Sequence, residues 1–579
     1  MTASAPQTRP SDLARAGLCT GTLVAMAPFE LRDWTLGVGG LDISIVEVIA
    51  LIAALSNLWA LRSTYANDLN RLRQPVFVTL IGWMVLNLVS TFWSEQPVET
   101  LKFSLRNAGG VVLALSCALL GQHNIYRRRL VQGLLVGLAG ITVVAVCERL
   151  IGRPFERLLT LFRDEPTWML GEPRLSTVFY HANTLAAYLE LVLPLMVITV
   201  ARKQGRAVLR WAGWLVIAGY MLSLTYSRAG LGAGVFGALV LAAASGQTRR
   251  KQRLWALVFA LLLCVAYFGN PDMRARLGGA KRTYKVGYEF LGICAGQPGQ
   301  RVDLTVRVTN LGQWPISDRH APGELGWVIW PTQGRPPASN FSYRPLRALS
   351  TGQHQDVPIE IQLPKQLGPH PLVVDIRRKE VVWLSAAGAD LDGILCQVSS
   401  GEQIIEAKYR PMDEIQMQSR PLELSRLHYW RAALELFVNK PWLGHGADQF
   451  RWRYRDHVPD KAWDLRARAH SVVMENAADL GALGLFFIGL LATLIGLRML
   501  ANLRAVEKIA PEQLAATVGL CSFAAHSMVD YFVAYTQILL IMWPVMGLAL
   551  STELVHRTQH APTTEPELPK QPEDGSVSL

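Results

Sequence analysis

Residues 533–552 read VAYTQILLIMWPVMGLALST, a stretch of 20 residues without Asp, Glu, Lys, Arg or His. The hydrocarbon core of a bilayer is about 30 Å thick, and a helix needs around 20 apolar residues to cross it. The sequence therefore predicts an all-α polytopic membrane protein with about twelve transmembrane helices. The other segments of this character are 13–29, 41–61, 75–93, 101–120, 129–149, 179–201, 207–226, 228–246, 253–269, 477–499 and 512–531.

The composition of the 579-residue chain agrees with this prediction. Apolar residues make up 50% of the chain and charged residues 18%, whereas soluble domains carry about 25% charged residues. These values, together with 17 Trp, exclude a disordered chain and disfavour a water-soluble enzyme. The net charge of +12 is explained by Lys and Arg in cytoplasmic loops and does not require nucleic-acid binding.

The loops between the predicted spans alternate in charge. Every second loop carries a cluster of Lys and Arg, such as those at 127–129 and 249–253, and such clusters mark the cytoplasmic side of a membrane protein. Both termini are therefore expected in the cytoplasm of a multi-pass bacterial inner-membrane protein. The predicted organisation is a membrane domain of nine spans at 1–269, a large periplasmic region at 270–470, three further spans at 471–554, and a disordered cytoplasmic tail at 555–579.

The periplasmic region contains alternating apolar residues, as in Val302, Leu304, Val306 and Val308. This alternation predicts an antiparallel β-sandwich at about 290–398, inserted in the large loop before the last three spans. The motifs VTNLGQWP and VVWL resemble immunoglobulin-like modules of bacterial sugar-handling proteins. An amphipathic helical part follows at about 420–470. Two of the seven cysteines bracket the sandwich, and a disulfide between them is a hypothesis; they are Cys294 and Cys396.

Polar residues gather at the predicted outer membrane edge in four clusters. The first cluster is 171–183, the second 226–230, the third 425–446 and the fourth 469–481. His526 and Asp530, near the outer end of the eleventh predicted span, are candidates to add to this set. Ionisable groups at a membrane edge are costly and usually functional. Because all four clusters fall on the same side, we expect them to form one site.

These clusters contain the groups needed to transfer a sugar from a lipid diphosphate. Arg174, Arg228 and Arg426 can hold phosphate bidentately and stabilise a diphosphate leaving group. His470 can act as a general base near neutral pH and deprotonate an acceptor hydroxyl. The sequence contains neither a metal-spaced Cys/His set nor a Walker-type loop, so we expect no cofactor and no metal.

Each of these residues also has a structural interpretation. A single Arg at a membrane edge is more often an anchor than a ligand. His181 is expected to cap the sixth span rather than to act in catalysis. It is the spacing of the motifs that favours function, and the supporting residues in these motifs are Asn183, Arg431, Glu475 and Asp479.

The motifs RLSTVFYHAN, YSRAG, SR…WRAALELF…PWLGHG and AHS…E…DLGALGL, in this order, resemble the bacterial O-antigen ligase and O-antigen polymerase family. The resemblance implies a GT-C-like membrane fold and an inverting, metal-independent glycosyltransferase with an undecaprenyl-diphosphate-linked glycan as donor. By motif, His470 matches the catalytic histidine, Arg228 and Arg426 match the diphosphate-binding arginines, and Arg174 matches a third family arginine. The chain departs from the family pattern at His181, Ser471 and Asp479.

Three acceptors remain open for such an enzyme: a lipid-linked glycan, lipid A–core, or a protein. The alternative function is a transporter or flippase of lipid-linked saccharides. In a transporter, ionisable residues at mid-membrane and broken helices are expected, whereas in this sequence the ionisable residues gather at the predicted outer edge. A third interpretation, a membrane scaffold for the β-sandwich, leaves the Arg and His motifs unexplained.

Overall fold

The computed structural model describes residues 9–38, 41–62, 72–163, 168–169, 172–245, 249–270, 284–312, 315–317, 323–329, 341–378, 382–384, 392–400, 426–457, 467–504 and 509–551. The predicted tail at 555–579 lies outside these residues. The described chain is mostly helical. Its helices are α1 (Pro10–Met26), α2 (Ile45–Leu61), α3 (Pro75–Val89), α4 (Pro97–Leu120), α5 (Asn124–Ile151), α6 (Arg153–Leu159), α7 (Ala182–Ala201), α8 (Arg206–Leu224), α9 (Arg228–Ser245), α10 (Arg250–Gly269), α11 (Arg426–Asn439), α12 (Phe450–Arg453), α13 (Val472–Arg504), α14 (Pro511–Ser527) and α15 (Thr536–Leu550).

Every predicted span overlaps one of these helices. Within the described residues, eight helices are long and apolar enough to cross a membrane: α3 with its 3-10 extension (Pro75–Trp93), α4, α5, α7, α8, α9, α10 and α13. Helices α2 and α15 are apolar but shorter. This pattern fits a polytopic membrane protein, while the count of twelve spans and the GT-C-like arrangement stay predictions.

Helix α7 lies at the centre of the helical part and is buried along almost its whole length. Helix α14 packs closely against it at Gly519, where a Cβ would lie 2.8 Å from the carbonyl oxygen of Leu191. Small residues at such contacts let membrane helices approach each other. The two helices run antiparallel, and this packing brings the beginning of α7 beside the end of α14.

Helix α13 is broken at Gly481, whose φ is 62°. The turn at 441–446 fills the break: the amide of Ala482 donates to the carbonyl of Pro441, and the amide of Gly446 donates to the carbonyl of Asp479, both at 2.7 Å. The backbone groups freed by the break are thereby paired, as a low-dielectric environment requires. The PWLGHG and DLG motifs are therefore two halves of one backbone joint.

The strands are β1 (Thr35–Val38), β2 (Leu41–Ser44), β3 (Trp168–Met169), β4 (Glu172–Pro173), β5 (Val286–Leu291), β6 (Ala295–Gly296), β7 (Arg301–Asn310), β8 (Gly323–Ile329), β9 (Ser342–Pro345), β10 (His354–Gln362), β11 (Gly368–Arg378), β12 (Val382–Trp383) and β13 (Asp392–Val398). Strands β1 and β2 form one hairpin and β3 and β4 another.

Strands β5 to β13, called the β-module below, form two sheets around one hydrophobic core. The first sheet has the order β10-β7-β5, and the second the order β6-β13-β11-β8-β9 with β12 beside β11. Leu304, Val306 and Val308 of β7 all point into the core, as the alternation predicts. Cys294 and Cys396 form a disulfide in the structure. The likeness to an immunoglobulin-like module stays a prediction.

Candidate active site

Four non-glycine residues among those described adopt a left-handed backbone conformation. They are Thr177 (φ 52°), Tyr226 (φ 51°), Asp448 (φ 65°) and His470 (φ 50°). Such conformations cost of order 1–3 kcal/mol each and concentrate at functional sites. Three of the four lie within the predicted polar clusters, and Asp448 lies two residues beyond the third. The strained positions thus coincide with the segments that the sequence singles out.

His470 is oriented by a buried carboxylate. The residue lies in the turn before α13, and its Nδ1 is 3.0 Å from Oδ1 of Asp530, in the turn between α14 and α15. The imidazole is partly exposed, whereas Asp530 is nearly buried. The ring of Tyr429 meets the imidazole edge-on, with the ring centroids 5.2 Å apart. Carboxylate and aromatic ring together fix one orientation of His470.

Asp530 connects His470 to the predicted arginines. Its Oδ2 accepts a hydrogen bond from Nδ2 of Asn183 at 2.6 Å and lies 3.5 Å from Nη2 of Arg426. Arg174 in turn donates from Nη2 to Oδ1 of Asn183 at 2.5 Å and from Nε to the carbonyl of Thr225 at 2.8 Å. Side chains from four separate segments of the chain therefore form one network.

The charge state of Asp530 determines what His470 can do. Burial by itself would raise the pKa of Asp530, but its hydrogen bond with His470 and the nearby His526 and Arg426 outweigh burial and hold that pKa well below its ordinary value. An ionised carboxylate only accepts hydrogen bonds, so Nδ1 of His470 donates to Asp530, and in the neutral imidazole the lone pair is then on Nε2. Nε2 has no hydrogen-bond partner in the described part of the chain. The imidazole is therefore arranged to accept a proton at Nε2.

Arg228 is the first residue of α9, three residues after Thr225, which Arg174 contacts. Its side chain is exposed, and within the described ranges no hydrogen bond or ion pair engages it. The structure thus places Arg228 beside the network without joining it. Its guanidinium group is available to an external anion.

Glu475 and Asp479 are fully enclosed and hold the surrounding turns. Glu475 accepts from the amide of Ala469 at 2.7 Å and from Nη1 of Arg468 at 3.0 Å, which fixes the backbone next to His470. Asp479 accepts from the amides of Asp448 and Phe450 at 2.8 and 2.7 Å. Both carboxylates support the site from beneath and do not line it.

The two remaining predicted residues lie outside the network around Asp530. His181 is the N-cap residue of α7, in the structural position that the sequence predicts, although its side chain makes no capping hydrogen bond. Its ring instead packs against Tyr180 and Tyr535, with ring centroids 4.5 and 6.2 Å away. Arg431 is exposed and pairs with Glu435 one turn along α11, an arrangement typical of a solvated helix face.

A second buried pair contradicts the expectation that ionisable residues gather only at the outer edge. Glu190, near the middle of α7, lies 2.7 Å from Nδ1 of His526 on α14, and neither side chain is exposed. The other polar atom of each, Oε2 of Glu190 and Nε2 of His526, has no hydrogen-bond partner. An ionisable residue inside a span is itself a signal of function; His526 is among the sequence candidates, whereas Glu190 is not.

In the residues that the structure describes, no group of three or more His, Cys, Asp and Glu side chains is arranged to hold a metal ion. Most of the polar side chains described above are instead paired with one another, with Arg228 as an exception. Their acceptors and donors are arranged for proton transfer and for binding anions.

The fold and site define a polytopic membrane protein with a carboxylate-oriented histidine beside several arginines. The family model described as O-antigen ligase matches residues 380–489. This match confirms the resemblance predicted from the motifs and supports assignment of the chain to the O-antigen ligase/polymerase family. It also supports, at a coarse level, a glycan-transferring membrane enzyme with a lipid-linked glycan and an acceptor as substrates. No curated protein matches the chain.

Two solved structures align with parts of the chain. The first is the sporulation control protein Spo0M from Bacillus subtilis, with 16% identity over 28% of this chain and 58% of that protein, at a TM-score of 0.13. The second is the alkylpurine DNA glycosylase AlkC from Pseudomonas fluorescens bound to DNA containing an abasic site analog, with 12% identity over 56% of this chain and 97% of that protein, at a TM-score of 0.14. At these TM-scores neither alignment bears on fold or function.

Proposed function

We propose that the protein is an inverting, metal-independent glycosyltransferase at the periplasmic face of the bacterial inner membrane. Its donor is a glycan linked to undecaprenyl diphosphate. The acceptor hydroxyl attacks the anomeric carbon of the donor sugar, and the hydroxyl proton passes to Nε2 of His470. The bond between the anomeric carbon and the diphosphate oxygen breaks, and its electron pair stays on that oxygen. The observation that carries this proposal is the His470–Asp530 contact, since it engages Nδ1 of a partly exposed imidazole and so directs Nε2 to the role of proton acceptor.

The arginines supply the second part of the mechanism. The departing lipid diphosphate gains negative charge, and guanidinium groups stabilise such a leaving group through paired N–H donors. Among the described residues, Arg426 has one ion pair, at 3.5 Å with Asp530, and Arg228 is exposed, so both can engage phosphate. Arg174 is committed to Thr225 and Asn183, which favours a positioning role for it.

The identity of the acceptor distinguishes three enzymes within this proposal: a polymerase, a ligase and a protein-glycosylating enzyme. A β-module in the large loop favours a polymerase or a dedicated exopolysaccharide system, because it offers a surface for a growing chain. In the proposed architecture it stands between the ninth and tenth spans, where an acceptor approaches.

A transporter or flippase of lipid-linked saccharides is the second candidate. The Glu190–His526 pair within α7 and α14 and the break of α13 at Gly481 are features that transporters use. A transporter moves its substrate unchanged, whereas a glycosyltransferase forms a new glycosidic bond. Product analysis with purified protein therefore separates the two functions.

The decisive experiment replaces His470 with Ala and measures glycan transfer from purified lipid-linked donor. We expect transfer to fall by about 10² to 10⁴-fold, the usual contribution of a general base. His457→Ala is the matched control, because His457 pairs with the exposed Glu435 and should leave transfer unchanged. Full activity of His470→Ala would dismiss the base assignment, and loss of wild-type activity in EDTA would dismiss the metal-independent mechanism.

Arg228→Lys tests the diphosphate contact. Lysine keeps the positive charge but loses the planar pair of donors, so transfer should fall if Arg228 binds phosphate bidentately. Wild-type turnover of Arg228→Lys would identify Arg228 as a membrane-edge anchor only.

A further inference from the structure

A basic cavity lies at the end of α7 opposite to the candidate active site. It is open, has a volume of about 550 Å³, and is lined by Asn124, Arg127, Arg128, Arg202 and Glu512 with the backbone around Pro511. No step proposed for glycan transfer uses these residues. The cavity is bordered by the beginnings of α5 and α14 and by the end of α7.

The cavity carries an excess of positive charge. Its three guanidinium groups face one carboxylate, so the side chains sum to 3 − 1 = +2. Glu512 is shared: it pairs with Arg202 and lies 3.6 Å from Nε of Arg127. Arg128 is exposed and has no hydrogen-bond or ion-pair partner among the described residues. An anion entering the cavity therefore meets unbalanced positive charge.

The walls of the cavity are fixed by hydrogen bonds. Arg127 donates from Nη1 to the carbonyls of Gly121 and Gln122 at 3.1 and 3.3 Å. Arg249 donates from Nη2 to the carbonyl of Ile509 at 2.8 Å. The N-cap residue of α5 makes no side-chain capping hydrogen bond, so amides of the first turn of α5 are left for other acceptors. Helix N-termini of this kind add to the attraction of guanidinium groups for phosphate.

The depth of the cavity indicates the source of the anion. Helix α7 has 20 residues, which corresponds to about 30 Å of helix and to the thickness of the hydrocarbon core. Asn183 of the candidate active site lies at its beginning, and Arg202 follows its end. The cavity is thus one membrane thickness away from His470, at the level of the lipid headgroups of the other leaflet. Basic pockets between membrane helices bind anionic headgroups.

We propose that this cavity binds the phosphate of an anionic phospholipid headgroup. Asn124 and the arginines contact the headgroup, while the exposed Ile125 beside Asn124 meets the acyl chains. Arg127, which is nearly buried, forms the floor, and Arg128 and Arg202 form the rim. The inference does not depend on the chemistry at His470, because it concerns the opposite ends of α7 and α14.

Lipid binding by the full-length protein tests the proposal. The purified protein in uncharged detergent is titrated with dioleoylphosphatidylglycerol, and bound lipid is counted by native mass spectrometry. Arg128→Gln and Arg202→Gln should each weaken binding about fivefold, and the double variant about 30-fold, since one basic residue near a headgroup is worth about 1 kcal/mol. Arg129→Gln is the matched control, because Arg129 is the exposed neighbour of Arg128 and does not line the cavity.

Two further ligands distinguish an anionic headgroup from a zwitterionic lipid and from a free anion. Zwitterionic dioleoylphosphatidylethanolamine should bind much more weakly, and inorganic phosphate should not displace phosphatidylglycerol at millimolar concentration. Equal binding by the double variant and the wild type, or an equal loss with Arg129→Gln, would overturn the proposal. Displacement by inorganic phosphate would also overturn it and assign the cavity to a soluble anion.

Glu512→Gln keeps the test decisive even where the double arginine variant does not fold. Removing the single carboxylate raises the charge of the cavity from +2 to +3, so phosphatidylglycerol should bind at least about fivefold more tightly. Unchanged or weaker binding would contradict the electrostatic basis of the site.

Discussion

The Glu190–His526 pair allows a quantitative prediction that is independent of enzymatic function. Both side chains have zero exposure, and they are joined by the 2.7 Å hydrogen bond between Oε1 of Glu190 and Nδ1 of His526. Gly230 packs beside them, since a Cβ there would lie 3.2 Å from Oε1 of Glu190. Because both groups are enclosed and cannot reach water, removing one partner leaves the other buried without this hydrogen bond.

The expected magnitude follows from this enclosure. Breaking a buried, hydrogen-bonded ion pair by removing one partner costs about 3–5 kcal/mol, whereas replacing both partners with apolar residues of similar volume is often neutral or stabilising. We therefore expect His526→Leu and Glu190→Leu each to lower the free energy of unfolding by about 3–5 kcal/mol. The double variant should lose less than either single variant, which gives a coupling free energy above about 3 kcal/mol.

Equilibrium unfolding in mixed micelles of neutral detergent and SDS, followed by circular dichroism, measures these free energies. Thr142→Val is the control for additivity, because the hydroxyl of Thr142 on α5 donates to the carbonyl of Leu138 on the same helix and accepts from Trp214 on α8, so it hydrogen-bonds to neither α7 nor α14. Combined with His526→Leu, its effect should add within about 0.5 kcal/mol. Additive losses in the Glu190→Leu/His526→Leu double variant would refute the pairing, and so would single losses below about 1 kcal/mol.

Four further predictions follow from other contacts. Asp530→Asn should slow glycan transfer about 10- to 150-fold, because a hydrogen bond to a charged group is worth about 1.5–3 kcal/mol; initial rates measure the loss, and an unchanged rate would refute the orienting role. Because the folded-state pKa of Asp530 is lowered, its charge stabilises the fold fully above the ordinary pKa of about 3.9 and loses this effect as the pH falls further. The melting temperatures of wild type and Asp530→Asn should therefore converge below about pH 4, and a constant difference would contradict this. Gly481→Ala should destabilise the protein by more than about 1 kcal/mol in a thermal melt, because its φ is positive and a Cβ would lie 2.7 Å from the carbonyl of Pro441; an unchanged melting temperature would count against the backbone joint. Replacing Cys294 and Cys396 with Ser opens a loop of 102 residues and should lower the stability of the β-module by up to about 4–5 kcal/mol, measured as faster proteolysis of that module; wild-type protein in reductant should behave alike, and equal proteolysis would exclude a stabilising bond.

The polar clusters could be found from sequence, and so could Asp530 as a polar residue near the outer end of the eleventh predicted span, but its role in joining the clusters could not. His470 and Asp530 are 60 residues apart, and Asn183 and Asp530 are 347 apart. Local motifs signalled His470 and Asn183, whereas Asp530 was signalled only by its position near the outer end of the predicted span 512–531, which does not say what it contacts. Its importance arises from the antiparallel packing of α7 and α14 at Gly519, a long-range contact that no window of sequence contains.

Supporting residues were recognised in the right segments but with incomplete roles. Glu475 and Asp479 belong to the same polar cluster as His470, five and nine residues after it, which made them supporting residues of the site. The structure shows that Glu475 holds the backbone at Ala469 and that Asp479 holds the turn after Gly446. Glu190 was overlooked because a single carboxylate barely lowers the apolar character of a 20-residue helix.

The sequence by itself determined the membrane-spanning character, the alternating strands of the β-module and the four polar clusters. These features depend on local properties: a helix pairs its own backbone groups, so apolar length alone indicates a span, and a period of two alone indicates a half-buried strand. The tertiary structure alone decided which side chains meet. Hydrogen bonds between distant segments, such as His470 with Asp530 and Glu190 with His526, depend on how helices pack, and that packing is governed by contacts across hundreds of residues.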